Sequence, residues 1–286
     1  MTARGRAAVL GAGTMGHGIA QVLAMAGYDV ALVDTTLELA ERGIERVRAN
    51  LEEGVRRGKL TAEQRDGTLT RLLAADDVGD AVRDAALVIE AIPERMDAKI
   101  AILQVVEEAA RADALLATNT SSLSVTRMQR SLRAPGRMLG LHFFNPVHLN
   151  PLVEVVRGEQ TTQDTMAAGL ELVRALGKEP VVVRDSPGFA TSRLGVLLGL
   201  EAIRMVEEGV ASVADIDRAM ELGYRHPMGP LRLTDIVGLD VRLDIARYLH
   251  AELGLEQFRP PALLERMVAE GRLGRKTGGG FYDWTA

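Results

Sequence analysis

Along the first 184 positions, short apolar runs rich in Val, Leu, Ile and Ala alternate with longer stretches whose apolar residues recur every three or four positions. The first kind reads as buried strand and the second as amphipathic helix. Strands are predicted over 7–10, 29–33, 87–91, 115–118, 138–143, 152–156 and 180–183. Helices are predicted over 14–25, 37–58, 97–112 and 162–176. Strand–helix–strand repetition predicts a mainly parallel sheet with helices on both faces. Gly27 and Gly177 each follow a helical stretch, where a left-handed C-cap favours glycine.

After Asp185-Ser186-Pro187-Gly188 the strand-like runs stop. Helices are predicted over 190–206, 213–220, 235–253 and 261–270, which makes an all-helical second domain. On the first of them, Phe189, Val196, Leu197, Leu200 and Ile203 offer more apolar surface than so small a unit needs. They form either a dimer interface or an ordinary buried helix face.

Composition narrows the chemistry. The 286 residues make one large domain or two ordinary ones, and the 47% hydrophobic fraction suffices for a sizeable core. There is no cysteine, so disulfides, thiolate metal sites and a cysteine nucleophile are excluded; a reducing cytoplasm is the expected setting. The net charge of −5 speaks against a nucleic-acid partner. No apolar run approaches the ~20 residues of a membrane helix. The basic start resembles the opening of a signal peptide, but the run over 7–10 ends at Gly11-Ala12-Gly13 and reads as a first strand. No His, Asp and Glu set has ligand spacing, so no metal is expected.

Gly11-Ala12-Gly13-Thr14-Met15-Gly16 matches G-x-G-x-x-G between a strand and a helix. Gly11 permits the tight turn, Gly13 admits a pyrophosphate, and Gly16 lets helix and strand pack closely, with Thr14 and Met15 between them at the helix N-terminus. The second strand ends before Asp34, whose carboxylate suits two ribose hydroxyls and repels a 2′-phosphate. NAD is therefore expected rather than NADP. The fold class is α/β: a Rossmann-type NAD-binding domain over 1–184, then an all-helical domain over 185–286, the candidate for substrate binding and dimerisation. His17, after the last glycine, is expected to cap or pack on the first helical turn.

Oxidising an alcohol with NAD leaves a proton to remove, and histidine is the usual base near neutral pH. Of five histidines, His142 ends a strand-like run at the edge where parallel sheets bind ligands. Glu154, one strand later, is placed to hold an imidazole tautomer, and Ser121, after a strand end, to bond the substrate oxygen. His148 is nearer Glu154 in sequence and competes as the base, from a loop bounded by Pro146 and Pro151.

Seven segments together resemble the 3-hydroxyacyl-CoA dehydrogenase family, in order and over essentially the whole chain. They are residues 11–18, Asn119-Thr120-Ser121-Ser122-Leu123, 140–147, Leu152-Val153-Glu154-Val155-Val156, Asp185-Ser186-Pro187-Gly188-Phe189, His226-Pro227-Met228-Gly229-Pro230, and Lys276-Thr277-Gly278 to Phe281-Tyr282. The short-chain, 3-hydroxybutyryl-CoA type looks nearest. The resemblance implies NAD-dependent interconversion of (S)-3-hydroxyacyl-CoA and 3-oxoacyl-CoA, with fatty acid metabolism as its setting. It implies His142 as base, Glu154 as its orienting partner, Ser121 on the substrate oxygen and Asn119 near the nicotinamide ribose. Glu94 and Lys99 fall where the family contacts NAD, with Glu90 competing for the role of Glu94. Asn50 and Arg57 fall where it meets CoA, although Glu38–Arg42, Glu52–Arg56 and Glu53–Arg57 also read as solvated helix pairs. The basic, glycine-rich stretch over 271–280 lacks phosphate-loop spacing and is expected to be a tail packed by Phe281, Tyr282 and Trp284.

One residue departs from the pattern. Ser192 stands where the family has asparagine, and one hydroxyl replaces an amide with two donors and a carbonyl. The expectation is a weaker or altered hold on the thioester side of the substrate, or local capping by the serine. Two other readings remain open: a related dehydrogenase of a hydroxy acid or alcohol without CoA, and a catalytically silent NAD-binding protein.

Overall fold

The computed structural model describes residues 4–285. Met1, Thr2 and Ala3, at the basic start, and Ala286 lie outside the described residues. The chain divides into two compact units, Met1–Asp185 and Ser186–Ala286. Among the described residues, no helix is long and apolar enough to cross a membrane.

The first unit runs β1 (Arg6–Leu10), α1 (Gly16–Met25), β2 (Asp29–Val33), α2 (Leu37–Arg56), α3 (Ala62–Leu69), β3 (Leu72–Ala75), α4 (Val78–Val82) and β4 (Leu87–Glu90). It continues with α5 (Met96–Ala109), β5 (Leu115–Thr118), α6 (Val125–Gln129), β6 (Met138–Phe143), β7 (Leu152–Arg157), α7 (Gln163–Ala175) and β8 (Glu179–Arg184). The strands form one sheet in the order β3-β2-β1-β4-β5-β6-β7-β8. Ala8, Val9, Ile89, Leu116 and Ala117 are fully buried in its middle, as near-continuous apolar runs in a sheet covered on both faces require. The strand order turns back between β1 and β4, which opens a crevice at their C-terminal ends. Gly27 and Gly177 have φ of +97° and +69° just beyond α1 and α7, the left-handed stops expected of them.

The sheet departs from the parallel expectation at one place. β6 and β7 pair antiparallel, and β8 follows β7 in parallel. Residues 144–151 are too few for a parallel crossover, which takes about a dozen. The chain therefore doubles back, and β7 begins at the edge where β6 ends.

The second unit contains α8 (Thr191–Glu207), α9 (Val213–Gly223), α10 (Pro230–Val237), α11 (Leu239–Leu253) and α12 (Ala262–Ala269). The single helix expected over 235–253 is broken at Gly238, whose φ of +103° separates α10 from α11. Phe189, Val196, Leu200 and Ile203 are buried in this unit's own core, with Leu197 packed against it. They form a buried helix face within this unit. The apolar side chains that α8 leaves exposed are Leu194 and Leu198. The tail packs as expected: Asp235 accepts from the Phe281 and Tyr282 amides and from the Trp284 indole, and Tyr282 donates its hydroxyl to Asp217.

Candidate active site

The glycine loop lies in the crevice. A Cβ on Gly11, whose φ is +96°, would come within 2.6 Å of the Ala91 carbonyl, and one on Gly16 within 1.6 Å of the Gly11 carbonyl. Only glycine permits that closeness. A Cβ on Gly13 would meet nothing within 4 Å, so this turn faces open space. Asp34 ties the second strand to the loop by accepting from the Ala12 amide at 2.8 Å, and its other oxygen accepts from Thr35. A groove of 680 Å³ follows, lined by Gly11, Gly13, Thr14, Met15 and Asp34 and walled by Ile92, Ala98 and Ile102. A glycine turn at a helix N-terminus, one carboxylate and an apolar wall fit a dinucleotide. His17 sits on the first helical turn, its Nδ1 at 2.7 Å from the Gly13 carbonyl.

Further along the same edge, the antiparallel step brings His142 directly opposite Glu154 in register. The His142 Nδ1 lies 2.8 Å from Glu154 Oε2; the histidine is 7% exposed and the glutamate fully buried. A carboxylate on Nδ1 fixes the proton there and leaves the Nε2 lone pair as the acceptor. The Phe144 ring packs on the imidazole at 4.3 Å between centroids. His148 is carried elsewhere by the turn after β6. It lines a separate cavity with Val22, Met25 and Lys178, and burial is the largest cause lowering its pKa, followed by His17 and Lys178.

The neighbouring strand ends are joined by hydrogen bonds. Asn119, just past β5, accepts from the Phe143 amide at 2.9 Å. Glu94 accepts through Oε1 from the Thr120 hydroxyl at 2.6 Å and the Ser121 amide at 2.8 Å. Glu90, at the end of β4, is fully buried. It accepts from the Ile92 amide and the Thr118 hydroxyl. Between these two acids lies Lys99, whose ammonium reaches Glu90 at 2.7 Å, the Ile92 carbonyl at 3.1 Å and Glu94 at 3.3 Å. The resemblance makes Lys99 a cofactor contact; the structure buries it completely, its ammonium turned inward to protein acceptors. Of the two acids, Glu94 is the one that is partly exposed.

The remaining candidates have other surroundings. Asn50, in α2, donates to Gln21 of α1 at 3.1 Å. Arg57 caps the end of α2 and pairs with Glu53, as does Arg56, so Glu53 takes the partner expected of Glu52. Ser192 is the second residue of α8. The sequence reading missed the Glu90–Lys99–Thr118 network and Phe144. Thr118 and Glu90 lie 28 residues apart on adjacent strands, and only strand order joins them.

The NAD-binding-domain model of 3-hydroxyacyl-CoA dehydrogenase matches residues 6–186, and the C-terminal-domain model of the same enzyme matches residues 188–284. The chain belongs to the 3-hydroxyacyl-CoA dehydrogenase family. It is an NAD-dependent oxidoreductase, and the cofactor of its first unit is NAD. Among its relatives, a 3-hydroxybutyryl-CoA dehydrogenase of Bradyrhizobium diazoefficiens is 42% identical over 276 residues, covering 96% of this chain and 94% of the relative. The crystal structure of FadB2 from M. tuberculosis superposes with a TM-score of 0.96 at 43% identity, covering 99% of this chain and all of that one. The (S)-3-hydroxybutyryl-CoA dehydrogenase of Ralstonia eutropha superposes at 0.94 with 38% identity, covering 98% and 99%.

Proposed function

We propose that this member of the family oxidises short-chain (S)-3-hydroxyacyl-CoA, of the 3-hydroxybutyryl-CoA class, to the 3-oxoacyl-CoA. The observation that carries the reading is the buried His142–Glu154 pair, at the same sheet edge as a glycine loop fitted to NAD. NAD bound along the glycine loop would supply the hydride acceptor for C3 of the substrate. The Nε2 of His142 takes the hydroxyl proton. Glu154 holds the Nδ1 proton and stabilises the imidazolium that forms. Ser121, its amide fixed by Glu94, turns its hydroxyl to the substrate oxygen. Asn119, which braces the ends of β5 and β6, would lie near the nicotinamide ribose. Gly11, Gly13, Thr14, Met15 and Gly16 cradle the pyrophosphate, Asp34 accepts the adenosine ribose hydroxyls, and Lys99 sets Glu94 from beneath.

Asn50 and Arg57 are assigned to CoA, and Ser192 to the thioester side of the acyl group. Replacing the asparagine of the family pattern by serine loosens that hold, so Ser192→Asn is expected to raise kcat/KM for acetoacetyl-CoA several-fold. No change, or a loss, removes this assignment. The protein is further read as a cytoplasmic homodimer joined through its second unit. The exposed apolar side chains of α8, α10 and α11 support the dimer, and a cysteine-free composition suits a reducing compartment.

The direct test is NADH oxidation with acetoacetyl-CoA and with free acetoacetate. Turnover with the thioester at much the higher kcat/KM is expected. Turnover with the free acid alone overturns the substrate, and none with either overturns the activity.

A further inference from the structure

Arg242 of α11 is 5% exposed, and its guanidinium lies against the backbone of α8. A Cβ on Gly199 would come within 3.2 Å of its Cζ, and one on Gly195 within 3.9 Å of its Nη1. Its Nε has no hydrogen-bond partner, and among the described residues no carboxylate pairs with the guanidinium. Burial alone pushes its pKa down to about 10. Acids on neighbouring elements are engaged elsewhere: Asp235 with the C-terminal tail, Asp240 with Lys276, and Asp217 with the amides that open α10. A buried cation without an anion is costly.

The helices α8, α10 and α11 also leave apolar side chains exposed. Leu194 and Leu198 of α8, Ile236 and Val237 of α10, and Val241 of α11 are all exposed. On α8, Leu194, Leu198, Glu201 and Met205 recur at spacings of four, three and four, which sets them in one stripe. Glu201 is the single acid in that stripe. Its partner is Arg204 of the same helix, whose guanidinium also donates to the Gln257 and Arg259 carbonyls, while the Glu201 carboxylate itself is 63% exposed. One face thus carries a buried cation lacking an anion and an exposed anion among leucines.

We propose that a second copy of this chain covers this face, α8 crossing its mate antiparallel at Leu198, with Glu201 of each copy pairing with Arg242 of the other. A two-fold axis through Leu198 sets Glu201 of one copy opposite Gly195 of the other, and Gly195 is the residue beside the Arg242 Nη1. The small residue leaves room for the carboxylate to approach. The proposal rests on the homodimer reading above and adds its polar anchor.

Sedimentation of the full chain with a double-mutant cycle tests it. Wild type is expected to dimerise. Glu201→Gln and Arg242→Met are each expected to weaken the dimer at least about tenfold, and the double variant no further than the worse single one. If Arg242→Met fails to fold by circular dichroism, Glu201→Gln alone still decides, because its site is exposed. A wild-type chain that stays monomeric at every concentration removes the dimer reading itself, whatever its activity on acetoacetyl-CoA. A wild-type dimer indifferent to Glu201→Gln, or additive losses in the double variant, removes the anchor alone. Stabilisation of the dilute monomer by inorganic phosphate that Arg242→Met abolishes would assign the cation to a small anion and overturn the pairing.

Discussion

Lys99 and Arg242 are both buried cations, one in each unit, and they are housed in opposite ways. Lys99 is wrapped by two carboxylates and a carbonyl, and the ends of β4 and β5 join its network through Glu90 and Thr118. Arg242 lies on glycines, with an unpartnered Nε and, among the described residues, no carboxylate paired with it. The first arrangement is complete within one chain, as a site that must hold a cofactor and a proton acceptor in fixed geometry requires. The second leaves a buried nitrogen without a partner, which is what the proposed pairing with Glu201 of a second copy addresses.

The sharpest way to break that comparison is to give both positions the same apolar side chain. Lys99→Met leaves Glu90 buried without its cation and is expected to cost ~3–5 kcal/mol of unfolding free energy in urea. An unchanged midpoint would mean that the network is ornamental. Arg242→Met removes a charge that has no partner, so the dilute monomer is expected to gain ~1–3 kcal/mol. A loss there instead would show that the cation is satisfied within its own chain. Thr118→Val removes one donor from Glu90 and is expected to cost ~1–2 kcal/mol by the same measurement. A smaller change than ~0.5 kcal/mol would place Glu90 in contact with water rather than in a closed network.

Much of this architecture is legible without coordinates. The strands over 29–33, 115–118 and 138–143 stand where the apolar runs predict them, because each is buried on both faces and bounded by turn residues. β3 escaped notice because Leu72–Ala75 is short, half-buried and without alternation. Helices as short as α4 and α6 are held by Asp77 and Ser124 caps and tertiary contacts, and are too brief to display a period. The break at Gly238 is a backbone angle that an apolar pattern does not carry. The antiparallel return of β7 was in principle readable from the few residues at 144–151, and it decides the site: it puts Glu154 against His142 and turns His148 away. Lys99 shows what a family pattern does not carry: the position is kept, while the full burial of its ammonium against Glu90, Glu94 and the Ile92 carbonyl is visible only in the fold.

The central claim is that His142, oriented by Glu154, moves the proton as hydride leaves the substrate. Stopped-flow NADH formation from 3-hydroxybutyryl-CoA, in wild type and His142→Gln, tests it most directly. The variant is expected to retain NADH affinity and thermal stability while the rate of the chemical step falls ~10²–10⁴-fold. A rate within a few-fold of wild type would contradict the assignment and return the proton to another group.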